Sequence, residues 1–184
     1  MMAAPATAAR VTLWLDEVPS PLGSITLVAT ERALCALDFG PPRRHLLERL
    51  RARLGPVTLA SCRDPGECAD RLRAYFAGAL DALDPVAVDT GGTPFQQRVW
   101  TALRTIPPGT TVTYATLAER LDQPRAIRAV GMANARNPIG LVIPCHRVVG
   151  AHGHLTGYGG GIWRKRWLLE HEGVLLPLGD PESR

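Results

Sequence analysis

A cysteine, a histidine and an arginine follow one another directly at positions 145 to 147 of this 184-residue chain. They lie in the stretch L-V-I-P-C-H-R-V-V-G, whose apolar start predicts a buried strand that ends at Pro144. A thiolate is a strong nucleophile, and the neighbouring His146 and Arg147 both favour the anion. Adjacent side chains of a strand point to opposite faces, so Cys145 and His146 can cooperate only if the chain turns there or a water bridges them. Pro144 favours such a turn. The plainer alternative is a buried structural cysteine beside a surface histidine.

A glutamate near the C-terminal end is the candidate partner of His146. The last predicted helix, I-W-R-K-R-W-L-L-E-H-E-G, ends at Gly173 and places Glu172 four residues after Leu168 and three after Leu169. A carboxylate on an apolar stripe needs a partner, and His146 would make Cys145, His146 and Glu172 a nucleophile, a base and an orienting group. A solvent-exposed final turn is the alternative for Glu172.

The elements before the cysteine predict a helix-turn-helix. Thr113 is a candidate N-cap for the helix Y-A-T-L-A-E-R-L, and after the turn D-Q-P a second helix is expected to begin at Pro124 and to run to Asn137-Pro138. Two short helices joined by a tight turn are typical of DNA-binding units. The second helix is expected to present one arginine-rich side and one inward side: Arg125, Arg128, Met132 and Arg136 outward, and Ile127, Val130 and Asn134 inward.

Small residues keep this second helix slim. Ala129 is one of five alanines and glycines along it, and a slim helix can lie close to a groove wall or to another helix. Core packing explains the alanines equally well, but it does not explain three arginines on one side.

The whole chain is predicted to be α/β, of the α+β kind. Residues 11–40 read as strands joined by turns, and two helices follow at residues 42–54 and 66–79, which gives a strand-rich first domain over residues 11–89. A linker rich in Asp, Pro and Gly precedes a mostly helical second domain over residues 90–175, in which a helix is expected from Pro94 to Ile106. Residues 1–10 are interpreted as a disordered tail and residues 176–184 as a second tail.

Charge is divided unevenly along the chain. Residues 1–90 contain 10 basic and 11 acidic residues, a net charge of −1, whereas residues 91–184 contain 11 and 6, a net charge of +5. Because the positive excess lies in the half that holds Cys145, it favours a polyanionic partner such as DNA. A solvated surface is the alternative, but it does not predict the asymmetry.

The cysteines and the N-terminus indicate a cytoplasmic protein, and the Arg-rich, Lys-poor, Ala-rich composition is typical of a bacterial one, which would be associated with the nucleoid when it is on DNA. The chain has four cysteines, at positions 35, 62, 68 and 145, and a nucleophile among them must stay reduced. The start M-M-A-A-P-A-T-A-A-R lacks the features of a signal peptide, and no apolar run of the sequence approaches the length that a membrane span needs.

The stretch I-P-C-H-R-V-V-G, with R-A-V-G upstream and Y-G-G-G downstream, resembles the active-site signature of the O6-alkylguanine-DNA alkyltransferases. The likeness runs from about Pro94 to Gly173. It implies an RNase H-like first domain and a winged helix-turn-helix second domain that binds double-stranded DNA through the minor groove. It also implies a monomer, for which the sequence leaves cooperative binding on DNA open.

The resemblance assigns roles to several residues. Cys145 would accept the alkyl group, Arg128 would fill the gap that a flipped nucleotide leaves, and Tyr114 would assist its rotation and donate a proton to the base. Asn137, which is also a plain helix stop, would be a hinge that hydrogen-bonds backbone. The carbonyl of Val148, with that of Cys145, would read the guanine amino group. The remaining candidates line the substrate (Tyr158, Gly159, Gly160) or the DNA (Ala129, Arg125, Arg136).

The glycine-rich loop G-Y-G-G-G is expected to bring unshielded backbone close to the substrate. Tyr158 offers an aromatic face, and the N–H of Gly159 is the candidate donor for the charge on the leaving guanine oxygen. Glycines at 159 to 161 and at Gly140 predict an open pocket rim.

The predicted function is therefore direct, irreversible transfer of an alkyl group from O6-alkylguanine in DNA to Cys145 after base flipping, once per protein molecule and without a cofactor. O4-alkylthymine is a further candidate substrate. A non-catalytic module that binds or senses alkylated DNA and a cysteine hydrolase are the alternatives. Some relatives hold zinc in the first domain, but Thr30 stands here where a cysteine ligand is expected and the spacing of Cys35, His45, Cys62 and Cys68 is unlike a ligand set, so no metal is predicted.

Overall fold

The computed structural model describes residues 10–42, 44–62, 64 and 67–174, and the two predicted tails lie outside this part of the chain except for residue 10. The predicted α/β class is confirmed: strands dominate the first half and helices the second. Among the described helices, none is both long and apolar enough to cross a membrane. The strands are β1 (Val11–Ser20), β2 (Gly23–Ala29), β3 (Leu34–Phe39), β4 (Val57–Ser61), β5 (Val112–Thr113) and β6 (Val148–Val149), and the α-helices are α1 (Arg44–Leu54), α2 (Cys68–Phe76), α3 (Pro94–Arg104), α4 (Tyr114–Arg120), α5 (Ile127–Ala135) and α6 (Ile162–His171).

The first half builds a four-stranded sheet in the order β3-β2-β1-β4. β1 and β2 form an antiparallel hairpin in which Ser20 pairs with Gly23, and the Gly23 backbone takes a positive φ that favours glycine. β4 pairs in parallel with β1, and sequence patterning missed it. This strand is short, lies at the edge of the sheet and is largely exposed, so it lacks the apolar alternation that marks a half-buried strand.

The larger of two apolar clusters runs through both halves of the chain. It joins buried residues of β2 and β3 to those of α2, α3, α4 and α6. The edge of β3 that faces away from β2 bonds to segments from both halves of the chain. Leu34 N donates to Ala87 O, and Leu37 N donates to Pro138 O. The predicted boundary near Asp89 therefore stays a prediction about folding units, while the packing around it is continuous.

The helix that follows the linker is fixed at its start and along one face. Thr93 and Gln96 form a capping box, and Pro94 occupies the first turn, where a missing N–H costs nothing. Val99, Trp100 and Leu103 are buried, as the helical spacing predicts. The indole N–H of Trp100 donates to Ala133 O at 2.9 Å and so ties α3 to α5.

Helices α4 and α5 form the predicted helix-turn-helix, with two corrections. Thr113 caps α4 as expected, since its side chain accepts from Thr116 N. The second helix begins at Ile127, and Pro124 lies in the preceding turn, where Asp122 takes a left-handed conformation that delays the helix. Ile127 is not inward: as the first residue of the helix it is 42% exposed, while Val130, Ala133 and Asn134 form the buried face.

The packing of α2 provides a test of the core. Leu72 is fully buried, whereas Leu59 on β4 is 40% exposed. Leu72→Ala should lower the free energy of unfolding by about 2 to 5 kcal/mol through lost apolar contact and a residual cavity. Leu59→Ala, the same chemical change, should cost under about 1 kcal/mol. Equilibrium urea denaturation measures both, and equal losses would contradict the placement of α2 in the core.

Candidate active site

The segment that carries the cysteine is buried but is not the strand that its apolar start predicts. Residues 141–144 form turns, Leu141 has a positive φ of 68°, and Cys145–Arg147 make one 3-10 turn before β6. Pro144 has an intermediate backbone conformation that starts this turn. The break expected after Pro144 is therefore present, and it removes the strand geometry that would send Cys145 and His146 to opposite faces.

Asn137 holds this segment through two hydrogen bonds. Its Nδ2 donates to Ile143 O at 2.8 Å, and its Oδ1 accepts from Ile139 N at 3.0 Å. Backbone bonding of this kind is what the resemblance assigns to Asn137. Both bonds reach the residues that lead up to Cys145. Asn137 therefore joins the end of α5 to the segment that carries the cysteine.

Cys145 is among the residues that line a cavity, and the residue as a whole is 7% exposed. Burial raises the pKa of its thiol, while a hydrogen bond from Asn137 and the charge of Lys165 act in the opposite direction. The guanidinium of Arg147 is paired with Glu172, so the expectation that Arg147 favours the thiolate stays a prediction. Because burial raises its pKa, Cys145 rests as a neutral thiol, and its use as a nucleophile requires removal of that proton.

Glu172 is buried and receives hydrogen bonds from three side chains. His146 Nε2 lies 3.0 Å from its Oε1, and Arg147 binds both oxygens at 2.9 Å. Tyr75 O–H donates to Oε1 at 2.7 Å. The exposed final turn considered for Glu172 is thus ruled out, and the predicted contact between His146 and Glu172 is present.

The protonation states follow from this arrangement. Burial would raise the pKa of Glu172, but the hydrogen bonds from His146 and Arg147 outweigh it and lower this pKa to about 2. An ionised carboxylate only accepts, so His146 must carry its proton on Nε2, which leaves Nδ1 as the free base. Nδ1 is buried without a hydrogen-bond partner among the described residues. Burial lowers the pKa of His146, so the imidazole is neutral and able to accept a proton.

Lys165 belongs to the site, although sequence reasoning passed over it. Its Nζ is fully buried and donates to Val148 O at 2.6 Å and to Thr156 O at 2.9 Å. Burial lowers the pKa of Lys165 to about 8, partly offset by the nearby Cys145. A signal was available: Lys165 precedes Leu168, Leu169 and Glu172 by three, four and seven residues, which puts all of them on one face of α6.

The cavity above Cys145 has a volume of about 250 Å³ and is formed by both halves of the chain. The second half contributes the glycine loop and the end of α5. The first half contributes residues of β3 and α1. The sequence predicted these elements but not their part in the cavity. Among the lining residues are Phe39, Arg49, Asn134, Arg136, Asn137, Gly140, Tyr158, Gly159 and Gly160.

The glycines of the loop differ in their surroundings. A Cβ at Gly159 would meet nothing within 4 Å, so this part of the rim is open as predicted. A Cβ at Gly160 would lie 2.6 Å from the Phe39 ring and 2.8 Å from the Tyr158 ring. Gly160 is therefore required for packing, and the open-rim interpretation is wrong at this position. The Tyr158 hydroxyl is buried without a hydrogen-bond partner among the described residues, on the side of Gly140.

The carbonyl oxygen of Val148, which the resemblance assigns to the guanine amino group, already has a hydrogen-bond donor within the protein. It accepts from Lys165 Nζ, so one lone pair remains for a guanine amino group. The side chain of Val148 is buried, and β6 pairs this residue with Val112. The assigned contact to substrate stays a prediction with this restriction.

The exposed face of α5 and of the turn before it presents the candidate DNA-binding residues together. Arg125, Arg128, Ala129 and Arg136 are all exposed, and Met132 between them is 55% exposed. Tyr114, at the first turn of α4, is half-buried, and its hydroxyl accepts a hydrogen bond from Thr156 Oγ1 at 3.3 Å. The structure therefore brings the arginines to one surface and connects Tyr114 to the loop beside the cavity.

The predicted absence of zinc is consistent with where the cysteines lie but stays a prediction. Cys35 and Cys68 pack in two different apolar clusters, and all four cysteines are free thiols. Thr30 bonds within its own turn, to the backbone around Ala33. The His45 side chain lies outside the described part of the chain.

Comparison with known proteins covers most of the chain. A family model described as 6-O-methylguanine DNA methyltransferase, ribonuclease-like domain, matches residues 17–90, and one described as the DNA binding domain of the same methyltransferase matches residues 94–174. A methylated-DNA–protein-cysteine methyltransferase of Shigella flexneri is 45% identical over 164 residues, which is 88% of this chain and 96% of that protein. One of Mycobacterium bovis is 47% identical over 165 residues, with 87% and 92% coverage.

Solved structures agree with these matches. The crystal structure of Mycobacterium tuberculosis O6-methylguanine methyltransferase has a TM-score of 0.72 and 44% identity, and covers 91% of this chain and 96% of that one. The M. tuberculosis OGT in complex with DNA has a TM-score of 0.71 and 44% identity, with 88% and 92% coverage.

The low pKa of Glu172 leads to a stability test. At neutral pH, Glu172→Gln should lower the free energy of unfolding by about 3 to 5 kcal/mol, because it leaves the buried Arg147 without a counter-charge. The stabilisation by the carboxylate is present above its ordinary pKa of 4.5 and is lost as the pH falls toward about 2. The difference between wild type and variant should therefore shrink in that window, as urea denaturation across it would measure.

Glu170→Gln is the matched control, since Glu170 is exposed and lies two residues earlier on the same helix. It should change stability little at any pH. A Glu172→Gln difference that stays constant down to about pH 2 would mean that Glu172 is not held as a buried carboxylate.

Proposed function

Because the chain belongs to the 6-O-methylguanine DNA methyltransferase family, we propose that it repairs DNA by moving the alkyl group from O6 of guanine to Sγ of Cys145. The assignment of Cys145 as the acceptor rests on its place in the lining of the cavity, next in sequence to His146, which contacts Glu172. The three other cysteines do not line this cavity.

Base flipping is required by the depth of the nucleophile. A guanine within a duplex cannot bring its O6 substituent to a cysteine that is only 7% exposed, so the nucleotide must rotate out of the stack. We assign the exposed face of α5 to the minor groove, with Arg128 filling the gap, Arg125 and Arg136 binding phosphates, and Ala129 allowing close approach. Tyr114 is assigned to the rotation, and its position beside the loop supports this role.

The chemistry begins with removal of the thiol proton. We propose that it passes through a water molecule to Nδ1 of His146, and that the charge of Glu172 stabilises the imidazolium that forms. The thiolate then attacks the alkyl carbon in line. The carbon–sulfur bond forms, the carbon–oxygen bond breaks, and the electron pair goes to the guanine oxygen, where the Gly159 N–H stabilises the charge and Tyr114 supplies a proton to the base.

The product explains why one protein molecule reacts once. An alkyl thioether does not hydrolyse under physiological conditions, so Cys145 stays alkylated and guanine is restored without a cofactor. O4-alkylthymine offers the same leaving oxygen and is a second candidate substrate. We further propose that the protein acts as a monomer in the cytoplasm, where its free thiols stay reduced, and on double-stranded DNA.

The two rival functions make different products. A binding module for alkylated DNA has no use for a nucleophile with a base and an orienting carboxylate behind it. A cysteine hydrolase releases its product and turns over, and the exposed arginines of α5 have no task in it. Intact-mass measurement after incubation with O6-methylguanine DNA separates the three outcomes: one permanent methyl group, no change, or released product without an adduct.

Cys145→Ser should abolish methyl transfer and retain binding to alkylated duplex DNA. An alcohol is a far weaker nucleophile than a thiolate, while the surface of α5 is unaltered. Intact-mass spectrometry reads the transfer, and fluorescence anisotropy of labelled DNA reads the binding. Cys62→Ser is the control and should transfer normally. Transfer by Cys145→Ser at the wild-type rate would remove Cys145 from the mechanism.

Arg128→Ala should slow repair of duplex DNA by about tenfold or more and change the reaction with free O6-benzylguanine little. The inserted side chain offsets part of the few kcal/mol that unstacking a base costs, and a free base has no stack to leave. Single-turnover rates on the two substrates measure the split. Arg51→Ala, an equal charge change on the exposed side of α1, should leave both rates unchanged. Equal losses on both substrates would place Arg128 in folding or in the pocket.

A further inference from the structure

The carboxylate of Glu172 has one hydrogen-bond donor that comes from the first half of the chain. Tyr75 lies on α2, 97 residues before Glu172, and is completely buried. Its hydroxyl donates to Oε1 at 2.7 Å. Burial and the neighbouring Glu172 raise the pKa of Tyr75 far above its ordinary value, so the hydroxyl keeps its proton and acts as a donor at every pH at which the protein is folded.

The two oxygens of Glu172 have different numbers of hydrogen-bond donors around them. Oε1 lies within hydrogen-bonding distance of Tyr75 Oη, His146 Nε2 and Arg147 Nη2, at 2.7, 3.0 and 2.9 Å, whereas Oε2 accepts from Arg147 Nε. A carboxylate oxygen has two lone pairs, so three donors must share the charge of Oε1. Tyr75 and His146 therefore compete for the same oxygen.

Arg147 binds the carboxylate in a geometry that by itself defines an orientation. Its guanidinium binds both oxygens in the planar, two-pronged geometry that sets direction as well as energy, and its Nη1 is anchored on Ile106 O at 2.5 Å. The hydroxyl of Tyr75 is thus not needed to aim Glu172. Its separate effect is on the strength of the interaction between the negative charge of Oε1 and the imidazole of His146.

We propose that Tyr75 is a positioning residue for alkyl transfer: its hydroxyl binds Glu172 Oε1 beside His146 and takes a share of that oxygen's charge, so that the imidazole stays neutral and ready to accept the thiol proton. This role rests on the proposed function for its consequence in catalysis. It assigns the first half of the chain a part in the chemistry, through a contact at the site itself.

Tyr75 is held in place by the interface between α2 and α6. Its ring packs edge-on against Phe76 and His171, with centroids 5.3 and 5.2 Å apart, and His171 stacks on Trp167 at 4.9 Å. The Nε2 of His171 lies 2.9 Å from the backbone oxygen of Tyr75. This interface fixes the hydroxyl relative to the helix that carries Glu172.

The charged surroundings of His146 determine what removal of the hydroxyl does. Glu172 raises the pKa of His146 through its hydrogen bond and its charge, while burial and the charges of Arg147 and Lys165 lower it. Glu172 in turn faces His146, Arg147 and Tyr75, and His171 contacts the ring of Tyr75 and not the carboxylate. Without the Tyr75 donor, more of the charge on Oε1 acts on His146, so its pKa should rise.

The test is Tyr75→Phe, which keeps the ring and removes one hydroxyl. The single-turnover rate with free O6-benzylguanine should show an acid limb moved to higher pH by about 0.5 unit or more, a roughly threefold lower rate on that limb, and a rate near wild type at high pH. The NMR titration of the His146 imidazole should move in the same direction, and it requires no alkyl transfer. Site-specific 3-fluorotyrosine at position 75, a stronger donor, should move both in the opposite direction.

Leu72→Val is the control for a loss of stability, because Leu72 is buried on the same helix and its aliphatic side chain forms no hydrogen bond to Glu172. It should lower Tm and leave the acid limb and the His146 titration unchanged. If Tyr75→Phe lowers Tm in the same way and moves neither the acid limb nor the titration, the hydroxyl is only structural and the proposal fails. Failure of the proposed function looks different: the wild type would then form no alkylated Cys145, whatever the titration of His146 shows.

Discussion

A buried negative charge is the constraint around which this structure is organised. The Glu172 carboxylate is withdrawn from water, and the cost of that withdrawal is met only if most of its lone pairs have donors. Those donors come from distant parts of the chain: Tyr75 from α2, and His146 and Arg147 from the turn after Pro144. Closing the network thus requires α2, the nucleophile segment and α6 to be in place together, which couples the completion of the fold to the formation of the site.

The sequence predicted local elements well and long-range partners poorly. Helical spacing located α3 and α4, and the apolar stripe of the last helix led to the contact between Glu172 and His146. It could not reveal that Tyr75 reaches the same carboxylate, because a tyrosine in an apolar stripe has the spacing of any core residue. It also could not reveal that Arg147 binds Glu172, since adjacency in sequence says nothing about side-chain direction once the backbone turns.

Edges and turns account for the remaining errors. β4 was missed because an exposed edge strand shows no apolar alternation, and the start of α5 was placed too early because a proline tolerated in a first turn also suits the turn before it. The roles given to single residues, including those of Arg128, Asn137 and Gly159, rest on a resemblance and on geometry that suits them. The cavity is the clearest addition from the structure, since Phe39 and Arg49 come from a domain whose role the sequence did not reveal.

The placement of Lys165 has a consequence for how this protein can be tagged. It is the single lysine of the chain, and its amine is buried between two backbone carbonyls behind the nucleophile. The folded protein therefore offers no lysine amine to an acylating reagent, an amine-directed crosslinker or an enzyme that attaches a modifier to lysine. Any such attachment at Lys165 requires local unfolding that exposes the amine. The extent of attachment would therefore measure local unfolding around Lys165.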